Sequence, residues 1–138
     1  MAQNQLVNVA LFLDHDLQKA QFAIKYLAAQ MAVRPVMVYA MLRNGCDSAG
    51  KVVCRAFIEK VAEVRRYLQQ AQHTFNTIQT VGKLYIEEIA EDVNVKDCVD
   101  SLFLRLCEKG KDVCLFLLED GITKNPWTLE GEKIYEAK

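Results

Sequence analysis

The sequence predicts an all-α protein, a compact bundle of six to seven helices. Apolar residues recur at helical spacing through most of the chain. Only two prolines and six glycines interrupt 138 residues, which favours long helices joined by short connections. No glycine-rich linker, repeat or low-complexity tract divides the chain, so a single helical domain over 1–138 is expected, less regular from about residue 122.

Taken in order, "QLVNVALFL" is a short segment that is apolar on several sides. Asp14 to Asp16 then offer N-caps, because a carboxylate accepts from the free N–H groups of a helix start. In the helix they open, Leu17, Ala20, Ile24, Leu27 and Met31 follow at steps of 3, 4, 3 and 4, one continuous stripe. "VRPVMVYAMLRNG" reads as a break and a short, buried central helix. Pro35 suits its first turn and Asn44–Gly45 its end; a strand at "PVMVYAML" is the alternative. Asp47 and Ser48 are expected to cap a long helix on which Val53, Phe57, Val61, Val64, Leu68, Ala71, Phe75, Ile78 and Val81 keep spacing as far as Gly82. "KLYIEEIAEDV" is read as another helix, Asn94 as the cap of the next, and Gly110 as its break. "KDVCLFLLED" is expected as the last helix before Gly121. The tail has little period, an Asn125–Pro126 turn, and Trp127 as a possible anchor.

The totals narrow the function classes. A hydrophobic fraction of 51% with 25% charged residues describes a globular chain. Its 17 basic and 18 acidic residues give a net charge of −1, so no global field draws it to nucleic acid or an anionic membrane. No apolar run approaches the ~20 residues of a membrane span, and the first residues lack a basic signal-peptide region. Five cysteines, an odd number without a CxxC pair, suit a reducing compartment. An intracellular, more cytoplasmic than nuclear, protein is expected.

The cysteines are weighed first as chemistry. Cys98, Cys107 and Cys114 are spaced by 9 and 7, and Cys46 and Cys54 by 8, whereas structural zinc takes ligand pairs two to four apart. On a helical wheel Cys98 lies at the edge of the Val99, Leu102 and Leu106 stripe, and Cys114 inside that of Val113, Leu117 and Leu118. Both read as buried thiols; Cys107 points off the stripe, beside Leu104. His15 stands between two carboxylates, and His73 in a polar helical run. A small helical enzyme or metal protein using Cys107 or Cys98 with His73 or His15 is one alternative. Glu87–Glu88, Glu91–Asp92 and Glu119–Asp120 read as solvated helix faces, and no Glu-x-x-His pair, phosphate-binding glycine motif or GxSxG elbow is present. A second alternative, nucleic-acid binding along Arg55, Lys60, Arg65 and Arg66, is opposed by the interleaved Glu59 and Glu63. No catalytic residue, cofactor or metal is therefore expected.

What remains is an excess of large apolar residues. Leu104 and Phe116 fall away from their helices' stripes, and Phe103 and Cys107 stand beside them. Phe103, Leu104, Cys107 and Phe116, with Trp127, are the expected contact surface.

"VDSLFLRLCEKGKDVCLFLLEDG", with Lys109, Gly110, Val113, Cys114, Phe116 and Leu117, resembles the late helix–glycine–helix portion of a caspase-recruitment domain, and "NPWTLE" resembles how some of these domains finish. The resemblance covers about residues 97–129 and implies a six-helix death fold with homotypic assembly in apoptosis or innate-immune signalling. Upstream the chain departs from it: the family's first helices have no counterpart, and the helix from Ser48 is too long. The functional expectation is a non-enzymatic, intracellular, helical protein–protein interaction module, an adaptor or regulator that includes host-modulating ones. Its partner would be another protein, or a second copy of the chain in a homo-oligomer.

Overall fold

The chain alternates strand and helix, which a helical bundle does not. The computed structural model describes residues 6–32, 35–77, 82–109, 114–118 and 133–136. In order these form β1 (Val7–Leu13), α1 (Leu17–Gln30), β2 (Val36–Arg43), α2 (Arg55–Thr77), β3 (Lys83–Ile89), α3 (Val95–Lys109), β4 (Cys114–Leu118) and β5 (Lys133–Glu136). The strands form one sheet in the order β3-β2-β1-β4-β5. The first four are mutually parallel and β5 is antiparallel to β4. The expected all-α bundle of six to seven helices is therefore replaced by an α/β fold, and the six helices implied by the caspase-recruitment resemblance are not its architecture.

Most of the misread segments are strands, and these share a cause. All seven residues of β1 are buried, including the polar Asn8. A parallel strand covered on both faces reads as a continuous apolar run, and over so short a span periodicity does not separate it from a buried helix. β2 is mostly buried too, and here the alternative reading, a strand at "PVMVYAML", is the one that holds. Pro35 precedes it and its carbonyl accepts from Val7 N–H at 3.0 Å; proline is tolerated at a strand's start, where no ladder donor is required. β3, at the sheet edge, buries Leu84 and Ile89 but exposes Lys83, Tyr85 and Glu87. β4 follows the run of "KDVCLFLLED", and β5 lies in the tail expected to be irregular. The rest of the tail from about residue 122 lies outside the described residues.

The helices fare better, because their stripes are long. Asp16 is the N-cap of α1, its carboxylate accepting from Lys19 N–H at 3.1 Å, and Ala20, Ile24 and Leu27 are buried as the stripe requires. On α2, Val61, Val64, Leu68 and Phe75 are buried. It begins at Arg55, however, so Asp47 and Ser48 are loop residues and not its caps. Asn94 opens α3, accepting from Lys96 N–H at 2.7 Å.

Two cores result, one on each face of the sheet. α1 and α2 cover one face, where Val9, Leu11, Val38, Ala40, Leu42 and Leu84 meet Ile24, Leu27, Val64 and Leu68. α3 covers the other, where Ala10, Phe12, Met41 and Leu115 meet Val99, Leu102 and Leu106. Alternate residues of the same strand serve opposite cores, as a two-residue side-chain period demands. No described helix is long and apolar enough to cross a membrane.

Leu11 is fully buried in the first core, so Leu11→Ala should cost about 2–5 kcal/mol from lost transfer energy and the cavity left behind. Leu104→Ala, on an exposed side chain, should stay within about 0.5 kcal/mol. Urea unfolding of the two variants measures both; equal losses would contradict the burial described.

Candidate functional site

In an open, mostly parallel sheet the loops at the carboxyl ends of the strands carry the functional groups. Here that rim comprises the β1–α1 turn (14–16), the β2–α2 loop (44–54) and the β3–α3 loop (90–94). β1 lies at its centre. Its neighbours are β2, reached through α1 on one face, and β4, reached through α3 on the other. The chain parts to opposite faces between β1 and β4, and ligand crevices form at such switch points.

The turn leaving β1 there is Asp14-His15-Asp16. Asp14 Oδ1 accepts from Asp16 N–H at 3.1 Å, and Asp16 Oδ1 from Lys19 N–H at 3.1 Å. Asp14 is exposed and Asp16 partly so, and the second oxygen of each carboxylate has no partner among the described residues. The His15 ring stacks on Phe57 of α2, centroids 4.1 Å apart and planes 10° apart, which ties the turn to the neighbouring helix. The helix N-terminus that would cradle a bare phosphate is already occupied by Asp16.

The other two loops are locked together. Arg43, at the end of β2, donates to the carbonyls of Ala90 at 2.8 Å, Glu91 at 3.3 Å and Val93 at 3.0 Å. Glu91 accepts from Gly45 N–H at 2.8 Å, and its own N–H donates to Cys46 C=O at 2.7 Å. Asp92 accepts from both Ser48 N–H at 3.0 Å and Ser48 Oγ at 2.7 Å. The Ser48 hydroxyl, then its N–H, holds the Asp92 carboxyl below its ordinary value. Gly45 sits at φ +84°, a conformation that favours glycine, and a Cβ there would fall 2.8 Å from Ile58 Cδ1, the far end of a side chain that would have to shift.

Beside these loops a cavity of about 650 Å³ opens, lined by Asn44, Cys46, Val52, Arg55, Ile58, Glu59, Arg65 and Glu88. Arg65 and Glu88 form a two-pronged ion pair on its wall, and Glu88 raises the guanidinium's pKa.

Three residues of the contact surface expected from sequence lie on α3 among the described residues. Phe103 and Cys107 are half-buried against the second core, while Leu104 is 63% exposed on the far side of α3. Phe116 lies on β4 opposite Val9; its side chain, like that of Cys114 and the whole of Trp127, falls outside the described residues. Cys98 is half-buried in the same core, and burial raises its thiol pKa. His73 is exposed on α2. Among the described residues, no three of His, Cys, Asp and Glu converge as ligands. Arg55, Arg65 and Arg66 do not form one basic face. Arg65 holds Glu88, Arg55 faces the cavity, and Arg66 lies with Glu63 in a groove between α1 and α2.

Glu88, Glu91 and Asp92, expected on solvated helix faces, instead hold the rim together. Their partners are 23, 46 and 44 residues away, a separation that leaves no local spacing signal. No protein-family model matches the chain, and no curated protein or solved structure shows significant similarity to it.

The Asp92 tie predicts an acid-sensitive loop. A carboxyl with a depressed folded pKa contributes stability above its unfolded value and loses it as pH falls through the folded one. NMR titration should place the Asp92 midpoint below the ordinary 3.8, and Ser48→Ala should move it up toward that value. An unmoved midpoint would mean that Ser48 is not the cause.

Proposed function

We propose that this chain is a ligand-binding α/β domain working at the carboxyl-end rim of its sheet. There, Asp14 and Asp16 hold a divalent cation that receives a phosphate-bearing ligand. The observation that carries this reading is the turn at the β1–β4 switch point, which presents two carboxylates with an open oxygen each in place of a glycine cradle. Magnesium is commonly held by one or two carboxylates together with waters and the substrate's own phosphates, so a third protein ligand is not required. An ion there would polarise a phosphoryl oxygen and acidify its bound water; phosphate-ester hydrolysis is the reaction class that fits. Spacing rules for Cys and His zinc sites do not report such a site.

A magnesium titration followed by NMR should produce saturable shifts over residues 14–19. Asp14→Asn should weaken binding about tenfold, the scale of losing one charge-assisted contact. Asp16→Asn, which keeps an N-capping side chain, should weaken it similarly while leaving the helix intact. Hydrolysis of bis(4-nitrophenyl) phosphate should require the metal and fall with Asp14→Asn. Magnesium shifts that are absent, or unchanged in both variants, would remove the reading.

A second reading rests on Leu104, which stands exposed beside the half-buried Phe103 and Cys107 on α3. It is a protein contact, either with another protein or with a second copy of the chain. Sedimentation should show an assembly that Leu104→Asp dissociates; a wild-type monomer at high concentration would exclude the second copy. Among the described residues, the free thiols of Cys46, Cys54, Cys98 and Cys107 support a reducing, intracellular setting.

A further inference from the structure

The cavity outside the carboxyl ends of β2 and β3 is separate from the β1 turn, and its lining is more specific than its size. Its volume, about 650 Å³, is that of a small-molecule site. The loop beside it is held in place: Gly45 and Ser48, which flank the lining residues Asn44 and Cys46, are pinned by the carboxylates of Glu91 and Asp92, and Ile58, on the cavity wall, lies against Gly45. Most polar groups in it are already used. Arg65 and Glu88 satisfy each other, and Asn44 Oδ1 accepts from Cys46 N–H at 3.0 Å.

Two charged groups are left over. Arg55 and Glu59 have no ion-pair or hydrogen-bonding side-chain partner among the described residues, and they do not pair with one another. They stand one helical turn apart on α2, on the side that lines the cavity. Arg55 occupies the first residue of α2, whose first turn holds no acid. A cation is disfavoured at that end of a helix and an anion favoured, so the helix does not itself call for an arginine there. A carboxylate placed beside Arg55 would meet both the guanidinium and the positive helix end. Glu59, one turn on, opposes a dianion and favours an attached ammonium group. Val52 and Ile58 supply the apolar wall.

We propose that this cavity binds a small zwitterion with an apolar body, an amino-acid-like ligand. Its carboxylate lies at Arg55, its ammonium at Glu59, and its side chain on Val52 and Ile58. The binding is non-covalent and does not depend on the metal reading of the β1 turn.

The test is an NMR titration of the intact chain with L-leucine, with its two half-molecules 4-methylpentanoate and 3-methylbutylamine, and with inorganic phosphate. Leucine should shift the Cys46, Val52 and Ile58 amides saturably, and each half-molecule should bind about tenfold more weakly. Arg55→Gln and Glu59→Gln should each lower leucine affinity about tenfold. Both residues are exposed, so the melting temperature should not move, and leucine should slow alkylation of Cys46 by iodoacetamide. No saturable shift, or equal affinity in wild type and both variants, would overturn the site. Phosphate or 4-methylpentanoate binding as tightly as leucine would overturn the zwitterion and leave a plain oxyanion pocket.

Discussion

The structure depends on the burial of β1. Seven consecutive residues, Val7 to Leu13, are out of solvent on both faces, and the strand is paired in parallel on both sides, to β2 and to β4. A strand without a solvent face needs a covering layer on each side, which is why α1 and α2 lie over one face and α3 over the other. Parallel pairing also requires crossovers and not hairpins, which sets the alternation of strand and helix from β1 to β4. The switch point follows from the same constraint, since the chain must serve both faces of a single central strand.

The rim is built by a different kind of force. Long-range hydrogen bonds between charged side chains and backbone hold two loops that have no core of their own. Arg43 gathers three carbonyls of the β3–α3 loop, and Glu91 and Asp92 return the contact to Gly45 and Ser48. Such charge-assisted bonds are directional, so the β2–α2 loop and the cavity beside it have a defined shape despite their exposure. β3, the edge strand of this end, is tethered on both faces, by Glu88 to Arg65 and by Glu87 to Arg105. Together with Lys83 these charges also guard the edge against pairing with another strand.

Much of the helical layer was legible in the sequence. The Leu17–Met31 and Phe57–Phe75 stripes are the buried faces of α1 and α2, and Asp16 and Asn94 are caps. Val99, Leu102 and Leu106 form the inward side of α3. The strands were not legible as strands, apart from the alternative at "PVMVYAML" that β2 bears out. "VNVALFL" and "VMVYAML" are apolar on both faces, and a buried strand and a buried helix of that length look alike. The stop at Asn44–Gly45 was a correct boundary attached to the wrong element: it follows the end of a strand, β2, and the positive φ of Gly45 serves a loop. At the candidate site, Asp14 and Asp16 were visible as a capping pair. That they stand at the end of a central strand, where two crossovers diverge, was not.

The sequence by itself determined the helix starts at Asp16 and Asn94, the break at Asn44–Gly45 and which helix faces are apolar, because caps, breaks and 3.6-residue stripes depend on residues a few positions apart. Tertiary structure alone decided that the short apolar runs are parallel strands, that Glu88, Glu91 and Asp92 are crossties, and that Arg55 and Glu59 face a cavity. Those outcomes depend on pairings between residues far apart in the chain, such as Asn8 with Leu115 and Arg43 with Val93, and such pairings leave no mark in local spacing.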